Sequence, residues 1–457
     1  MGKSIWAAIM LMLAATVGAS AQSTVSNTNG DTWNLERCIS YAKDNNLQIK
    51  ARNISVEQSR NNLQQSKLDL IPSLSGGSSL SMSWGRSVNL QTLEIIKNKR
   101  SMSVSGSLSS SATIFSGFSK LNNIKSNKVA LNIAEKQVEK MENDITIQIL
   151  QAYLQLLLAQ EIEKSAQESC KSMEEQVERT AKLVDAGSQA YSTLLEVKAQ
   201  LANEKSQLVV ARNDVRSSKL TLMQLLDLPA NMREGFAIAE PNTLSDIMPI
   251  AEEYYGTGYN NSIEQIYKEA LELPQIKSAE LALEKSKYDY RSIYGRLFPS
   301  ISVQAGYGSY YTDGQSGAFF TQFENNKNPS LGFSLSIPIF NGFNTRTSVR
   351  NARLNMESTR IELQMQKEAL YKEIQSAYNG AIGAYEKMKA AEENMKSIQE
   401  SFTYTENKFN VGMMNATDYN IAKANLFKAV SAFYQAKYQY LFELKILDFY
   451  KGKQIIL

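Results

Sequence analysis

Val411-Gly412-Met413 interrupts one very long helix-patterned segment, and Ala186-Gly187-Ser188 interrupts another. Gly187 and Gly412 lie 225 residues apart. The same offset of 225 carries Phe115, Gly117 and Phe118 onto Phe340, Gly342 and Phe343. It also carries Tyr153 onto Tyr378, Lys198-Ala199 onto Lys423-Ala424, Leu201 onto Leu426, and Leu222 onto Leu447. No gap is needed between Phe115 and Leu226. The chain is therefore an internal duplication, each half a long helix, a glycine turn and a return helix. A repeat has to be recognised first, since overlooking one misassigns the fold.

The helical halves are long. Residues 118–184 and 343–409 each read as one helix of about 67 residues, or roughly 100 Å. Leu131, Ala134, Val138, Met141 and Ile145 step by three and four, and Ala166, Cys170, Met173, Val177, Thr180 and Val184 continue the spacing. In the return helix at 193–226, Leu194, Leu201, Leu208, Val215 and Leu222 recur every seventh residue. Tyr419, Leu426, Phe433, Tyr440 and Leu447 do the same in its copy at 416–449, beside a small-residue stripe of Ala422, Ala429 and Ala436. Sustained heptads specify coiled-coil packing. Each return helix spans only about 50 Å, and shorter helices ahead of the strands add roughly 33 Å. Stacked end to end they approach the length of the long helix, which predicts a cylinder of antiparallel helices.

Those shorter helices, from about Ile49 to Leu70 and from about Gln275 to Leu297, stop at Pro72-Ser73 and Pro299-Ser300. Proline disfavours helix in the residue before it. Alternation with period two then begins. Leu74, Leu80, Met82 and Trp84 share one face in the segment at about 74–84; Met102, Val104, Leu108, Ala112 and Ile114 do so at about 102–114. In the second half the matching sets are Ile301, Val303, Ala305, Tyr307 and Tyr311 (about 301–311) and Leu331, Phe333, Leu335, Ile337 and Ile339 (about 331–339). Serine and glycine fill the positions between. These four strands suit either a transmembrane barrel or a half-buried soluble hairpin pair. Four strands cannot close a barrel, and an open sheet edge is not tolerated in lipid. Two chains would give a filled eight-stranded barrel and three a water-filled one of twelve strands.

Composition narrows the function. The 457 residues carry a net charge of +3 with acidic and basic residues interleaved, so no electrostatic case exists for a nucleic-acid partner. Histidine is absent, which removes the commonest general base and the commonest metal ligand. Cys38 and Cys170 are far apart and form no zinc or disulfide framework. With no phosphate-binding glycine loop and no nucleophile–base pattern, we expect no enzyme, no catalytic residues, no cofactor and no metal. Residues 1–21 read as an export signal: Lys3, an apolar stretch from Ile5 to Val17, then Ala19-Ser20-Ala21 before Gln22. Gln22 in place of cysteine does not indicate a lipid anchor. The first repeat spans 32–230; 231–262, with Pro241, Pro249, Gly256 and Gly258, reads as a connector; the second repeat spans 263–450; and 451–457 is a tail.

Together these features resemble the TolC-type outer-membrane efflux proteins. The residues that carry the resemblance are the two Pro-Ser strand starts, Ile337-Pro338-Ile339-Phe340-Asn341-Gly342 and Phe409-Asn410-Val411-Gly412. Each motif is weak alone, but the duplicated order of helix, strand pair, long helix, glycine turn and helix is specific. The resemblance covers about Leu35 to Tyr450. It implies a mainly α fold with a membrane β part: a duplicated strand pair plus long coiled-coil helices, forming a trimeric 12-stranded β-barrel joined to an α-helical tunnel. It further implies a homotrimer in outer-membrane lipid, reaching through the periplasm to a periplasmic adaptor (membrane fusion protein) and an inner-membrane pump. Ala186, Gly187, Ser188, Val411, Gly412 and Met413 would then be the adaptor-docking tips, although plain turn geometry asks for the same glycines.

By the same resemblance, Asp418 sits where the family places an acidic ring at the periplasmic constriction, and Phe409 and Met414 join it in that constriction. An aspartate in the first turn of a helix is also favoured on its own account. A second acid often found one turn later is Ile421, and the family's gate arginine, tyrosine and aspartate are matched by Met414, Phe409 and Thr193. A closed state must therefore be held differently, and apolar contacts of Phe409 and Met414 are one means. Met413-Met414 would also suit soft-metal export, though methionine more often packs. The function expected is a passive exit duct for drugs or other small molecules, driven by a separate pump. The alternatives are the exit duct of a type I protein-secretion system and, in a different class, a soluble periplasmic coiled-coil adaptor.

Overall fold

A computed structural model describes residues 32–88, 95–239, 263–453 and 455. The expected export signal at 1–21, the polar stretch to residue 31, most of the connector and three tail residues lie outside the described residues.

The elements follow the duplication. The first repeat contains α1 (Leu35–Asn45), α2 (Leu47–Leu68), β1 (Ser73–Val88), β2 (Ile95–Ser116), α3 (Ser119–Asp185) and α4 (Tyr191–Leu225). After the single turn α5 (Ala230–Arg233), the second contains α6 (Ile263–Ala270), α7 (Pro274–Gly295), β3 (Ser300–Thr312), α8 (Phe319–Asn325), β4 (Asn328–Ser336), α9 (Asn344–Asn410) and α10 (Ala416–Tyr450). The long helices α3 and α9 are both 67 residues and the return helices α4 and α10 both 35. Each 22-residue helix completes the height of its long neighbour. At one such joint the Asn46 amide donates to the Leu225 carbonyl at the end of α4 (3.0 Å), while Asp227 accepts the Leu47 amide at the start of α2 (2.9 Å). Two helices thus continue one another through polar groups that would otherwise be unmet.

Midway along α3 the sequence Ile149–Ala159 is apolar on nearly every side and is buried accordingly. Its core takes in Trp33, Cys38 and Ile49 from one end of the chain and Tyr438 and Leu441 from the other. Trp33 pairs with Ile238 in a parallel bridge, and the Tyr153 hydroxyl donates to the Ala239 carbonyl (2.7 Å), so the segment after α4 is belted to the helices at this level.

The strands form one antiparallel sheet in the order β1-β2-β3-β4. The register aligns the alternating apolar sets: Leu80 opposite Val104 opposite Tyr311, Leu108 opposite Tyr307, Val303 opposite Phe333. The other face is serine and glycine, with Ser75–Ser109 and Ser79–Ser105 hydroxyl pairs at 2.8 Å. Three features differ from the sequence expectation. The first hairpin is longer, at 16 and 22 residues, since pairing runs on past Trp84 through a register shift at Gly85–Ser87, where the sequence alternation is broken. The last strand stops at Ser336, since Pro338 has no N–H for the ladder. The second hairpin carries α8, which is too short for its period to be seen. Among the described residues no helix is long and apolar enough to cross a membrane.

Candidate functional site

Two regions carry the chemistry: the helical tips and the sheet. Both glycine turns end their helices in the same way. Gly187 and Gly412 take positive φ (71° and 77°), where a side chain is disfavoured. The Ser188 amide reaches back to the Leu183 carbonyl and the Gly187 amide to that of Val184; Met413 and Gly412 repeat this onto Lys408 and Phe409. This is a Schellman closure, and it leaves Ala186, Gly187, Ser188, Val411, Gly412 and Met413 exposed at one end of the molecule.

Behind the tips, Met173 of α3, Val197 of α4, Phe402 and Phe409 of α9, and Ala416 and Tyr419 of α10 form one buried cluster. Phe409 is only 3% exposed and stacks on Tyr419 with ring centroids 4.6 Å apart. It belongs to the tip's core, with Met414 half-buried against the same cluster. Burial pushes the Tyr419 hydroxyl up to about 12, helped by the nearby Glu406 carboxylate. Asp418 is exposed and engaged in a reciprocal cap: its backbone N–H donates to Asn415 Oδ1 (2.8 Å) and its carboxylate accepts from Asn415 Nδ2 (2.9 Å). The aspartate therefore has a structural role in starting α10 as well as an exposed charge. Ile421, also exposed, follows one turn later.

The tip holds groups the sequence did not single out for function. Arg179 donates to Asn410 Oδ1 (2.7 Å), tying the end of α3 to the end of α9. One layer deeper, Lys423 is 5% exposed, and its ammonium donates to the Ser169 carbonyl (3.1 Å) and the Ser172 hydroxyl (3.3 Å) of α3. Ser169 in turn donates to the buried Glu204 of α4 (2.9 Å). Burial lowers the Lys423 pKa, and the Glu204 and Glu406 carboxylates offset part of that shift. The network joins α10, α3 and α4 through one cation.

Away from the short helix α8, the sheet's apolar face is bare. Leu74, Leu80, Met82, Trp84, Leu108, Ile114, Leu331, Phe333 and Leu335 are 41–78% exposed. Covering such a face releases on the order of 10–20 kcal/mol, comparable to the whole stability of a domain. Among the described residues, its two outer strands, β1 and β4, have no partner on their outer sides. The helices show the same incompleteness. The long helix α3 packs between α2 and α7, whereas its copy α9 has α7 on one side and, among the described residues, no helix opposite. Exposed apolar stripes mark the two open edges: Leu47, Ile54 and Leu68 on α2, and Leu354, Ile361 and Met365 on α9. Gly117 lies so close to Gly295 that a Cβ would stand 2.0 Å from its carbonyl oxygen, while the repeat-related Gly342 meets nothing.

The model of the family described as outer membrane efflux protein matches residues 38–227 and 266–452. The chain belongs to that family. Among curated relatives, Outer membrane efflux protein BepC of Brucella suis is 22% identical over 242 residues, covering 52% of this chain and 48% of BepC. Alkaline protease secretion protein AprF of Pseudomonas aeruginosa is 21% identical over 222 residues, covering 48% of this chain and 43% of AprF. The alignments span about half the length of these relatives. The fold is similar to that in the crystal structures of CusC, with a TM-score of 0.75 at 17% identity over 94% of this chain and 96% of that one.

Proposed function

We propose that this chain is one protomer of a homotrimeric exit duct in the outer membrane, with its helices reaching through the periplasm. The observation that carries the reading is the repeat with two open edges. If α9 takes a second α2 as α3 takes α7, and β4 takes a second β1, every unmet group finds the partner its copy already has. The serine and glycine face would then line a lumen. Such a lining suits the water-filled barrel of twelve strands that three chains give better than the filled barrel of eight from two. The bare apolar face would lie against lipid.

In this duct the exposed tips would dock a periplasmic adaptor coupled to an inner-membrane pump, which supplies the energy for small-molecule efflux. Asp418 would bring three carboxylates around the axis, a ring that favours cations. Phe409 and Met414 would shape the constriction from behind, by packing Tyr419 and the start of α10. The similarity to AprF supports a second reading, an exit duct for a secreted protein.

Single-channel current in a planar bilayer, for the purified protein and for Asp418→Asn, tests the reading. Discrete conductance with a cation preference that the substitution weakens is the expected result. Current that the substitution leaves untouched would remove Asp418 from the selectivity element. Folded protein that never inserts would return the soluble coiled-coil reading.

A further inference from the structure

The short helix α8 does not project from the end of the β3–β4 hairpin. It lies back on the apolar face of the sheet. A built Cβ on Gly106 would stand 3.5 Å from the Phe323 ring, and Gly106 shares its face with Leu108, opposite Tyr307. The segment is tied down by polar bonds. The Ser309 hydroxyl donates to the Phe323 carbonyl, and Asn326 donates to the Tyr310 carbonyl (2.9 Å). Gln322, 3% exposed, accepts the Thr312 amide (3.1 Å) and donates to the carbonyls of Gln315 (2.8 Å) and Gly317 (3.0 Å). Phe319 packs on Tyr311 and Phe323, with ring centroids 5.1 and 5.2 Å away.

Between this helix and the sheet is a cleft of about 550 Å³. Phe320 and Phe323 form one wall, Tyr307 and Leu108 the other, and the floor is backbone left bare at Gly76 and Gly106. The Glu324–Lys327 ion pair stands at its margin and brings no net charge. Phe320, in that wall, is 83% exposed.

We propose that this cleft receives an acyl chain of a membrane lipid. The inference rests on the reading of the sheet as part of a closed barrel, since that reading makes the apolar face the lipid face. Ser309 is nine residues into β3 from its helical end at Ser300. That is about 30 Å along the strand, or about 23 Å of height at the usual tilt, close to the top of an apolar band about 25 Å tall. The cleft is then continuous with the lipid-facing surface and lies near the level where acyl chains meet the head-group region. Its walls are aromatic and aliphatic, its floor offers small residues for close approach, and its one ion pair is self-neutralised. A hydrocarbon chain fits that chemistry, and a charged or polar ligand does not. The Gln322 bonds fix α8 to the end of β3 and to the loop between them.

The test uses the full assembly reconstituted in phosphatidylcholine vesicles whose acyl chains are brominated, since bromine quenches indole fluorescence on contact. Both variants carry Trp84→Phe, which removes the indole already on this face. One adds Tyr307→Trp inside the cleft, and the other adds Leu331→Trp on the open sheet. Loss of most of the added emission in both, to a similar extent, is the expected result. Quenching at Leu331→Trp with full emission at Tyr307→Trp would overturn the inference and leave the barrel standing. Emission untouched at both positions would overturn the barrel reading and this inference with it.

Discussion

Gly412 and Lys423 show how single residues set the tip. Gly412 supplies a left-handed backbone at the turn between α9 and α10, and nothing lies within 4 Å of where a Cβ would stand. Gly412→Ala should therefore cost about 1 kcal/mol from backbone strain alone, read as a small fall in melting temperature without a change in fold. Lys423 makes a signed prediction. Burial holds its folded pKa below the ordinary 10.5, so between that lowered value and 10.5 the unfolded chain binds more protons than the folded one. Stability contributed at this site must then rise with pH through that window. The melting temperature of the wild type relative to Lys423→Met should climb as the pH is raised towards 10.5. A difference that stays flat would mean the ammonium is not desolvated. The burial of Lys423 was not legible in the sequence. Its repeat partner Lys198 is exposed, because α10 has α3 against it whereas α4 stands at the open edge.

At the scale of elements, pattern length decided what could be read. The long helices, the return heptads and the face assignments of the strands emerge from sequence because each rests on many residues repeating twice. The seven residues of α8 offer no such redundancy, and its place against the sheet depends on Gln322, Ser309 and Asn326, none of which belongs to a motif. Positions at the tip were legible as turns, but the burial of Phe409 depends on Tyr419 stacking across from the next helix. Helix edges bear a direct prediction. Ile54 is 61% exposed, in a stripe with Leu47 and Leu68 that has no cover in one chain. Ile54→Asp should leave the helical content of the protomer intact while abolishing assembly, measured by circular dichroism and by size-exclusion chromatography in detergent. Loss of helix together with assembly would place Ile54 in the protomer's own core instead.

For the whole molecule the governing fact is that one chain is two repeats with an open edge on either side. Each open edge has a closed counterpart inside the same chain: β2 against β3 for β4, α3 against α7 for α9, and the Gly117–Gly295 approach for Gly342. Native mass spectrometry of the protein extracted in detergent counts directly how many copies close these edges. A single species holding three copies of the 51.1 kDa chain, less any segment removed during export, is the expected result. A single-copy species whose helices and sheet remain folded, or a stable pair, would contradict the trimer.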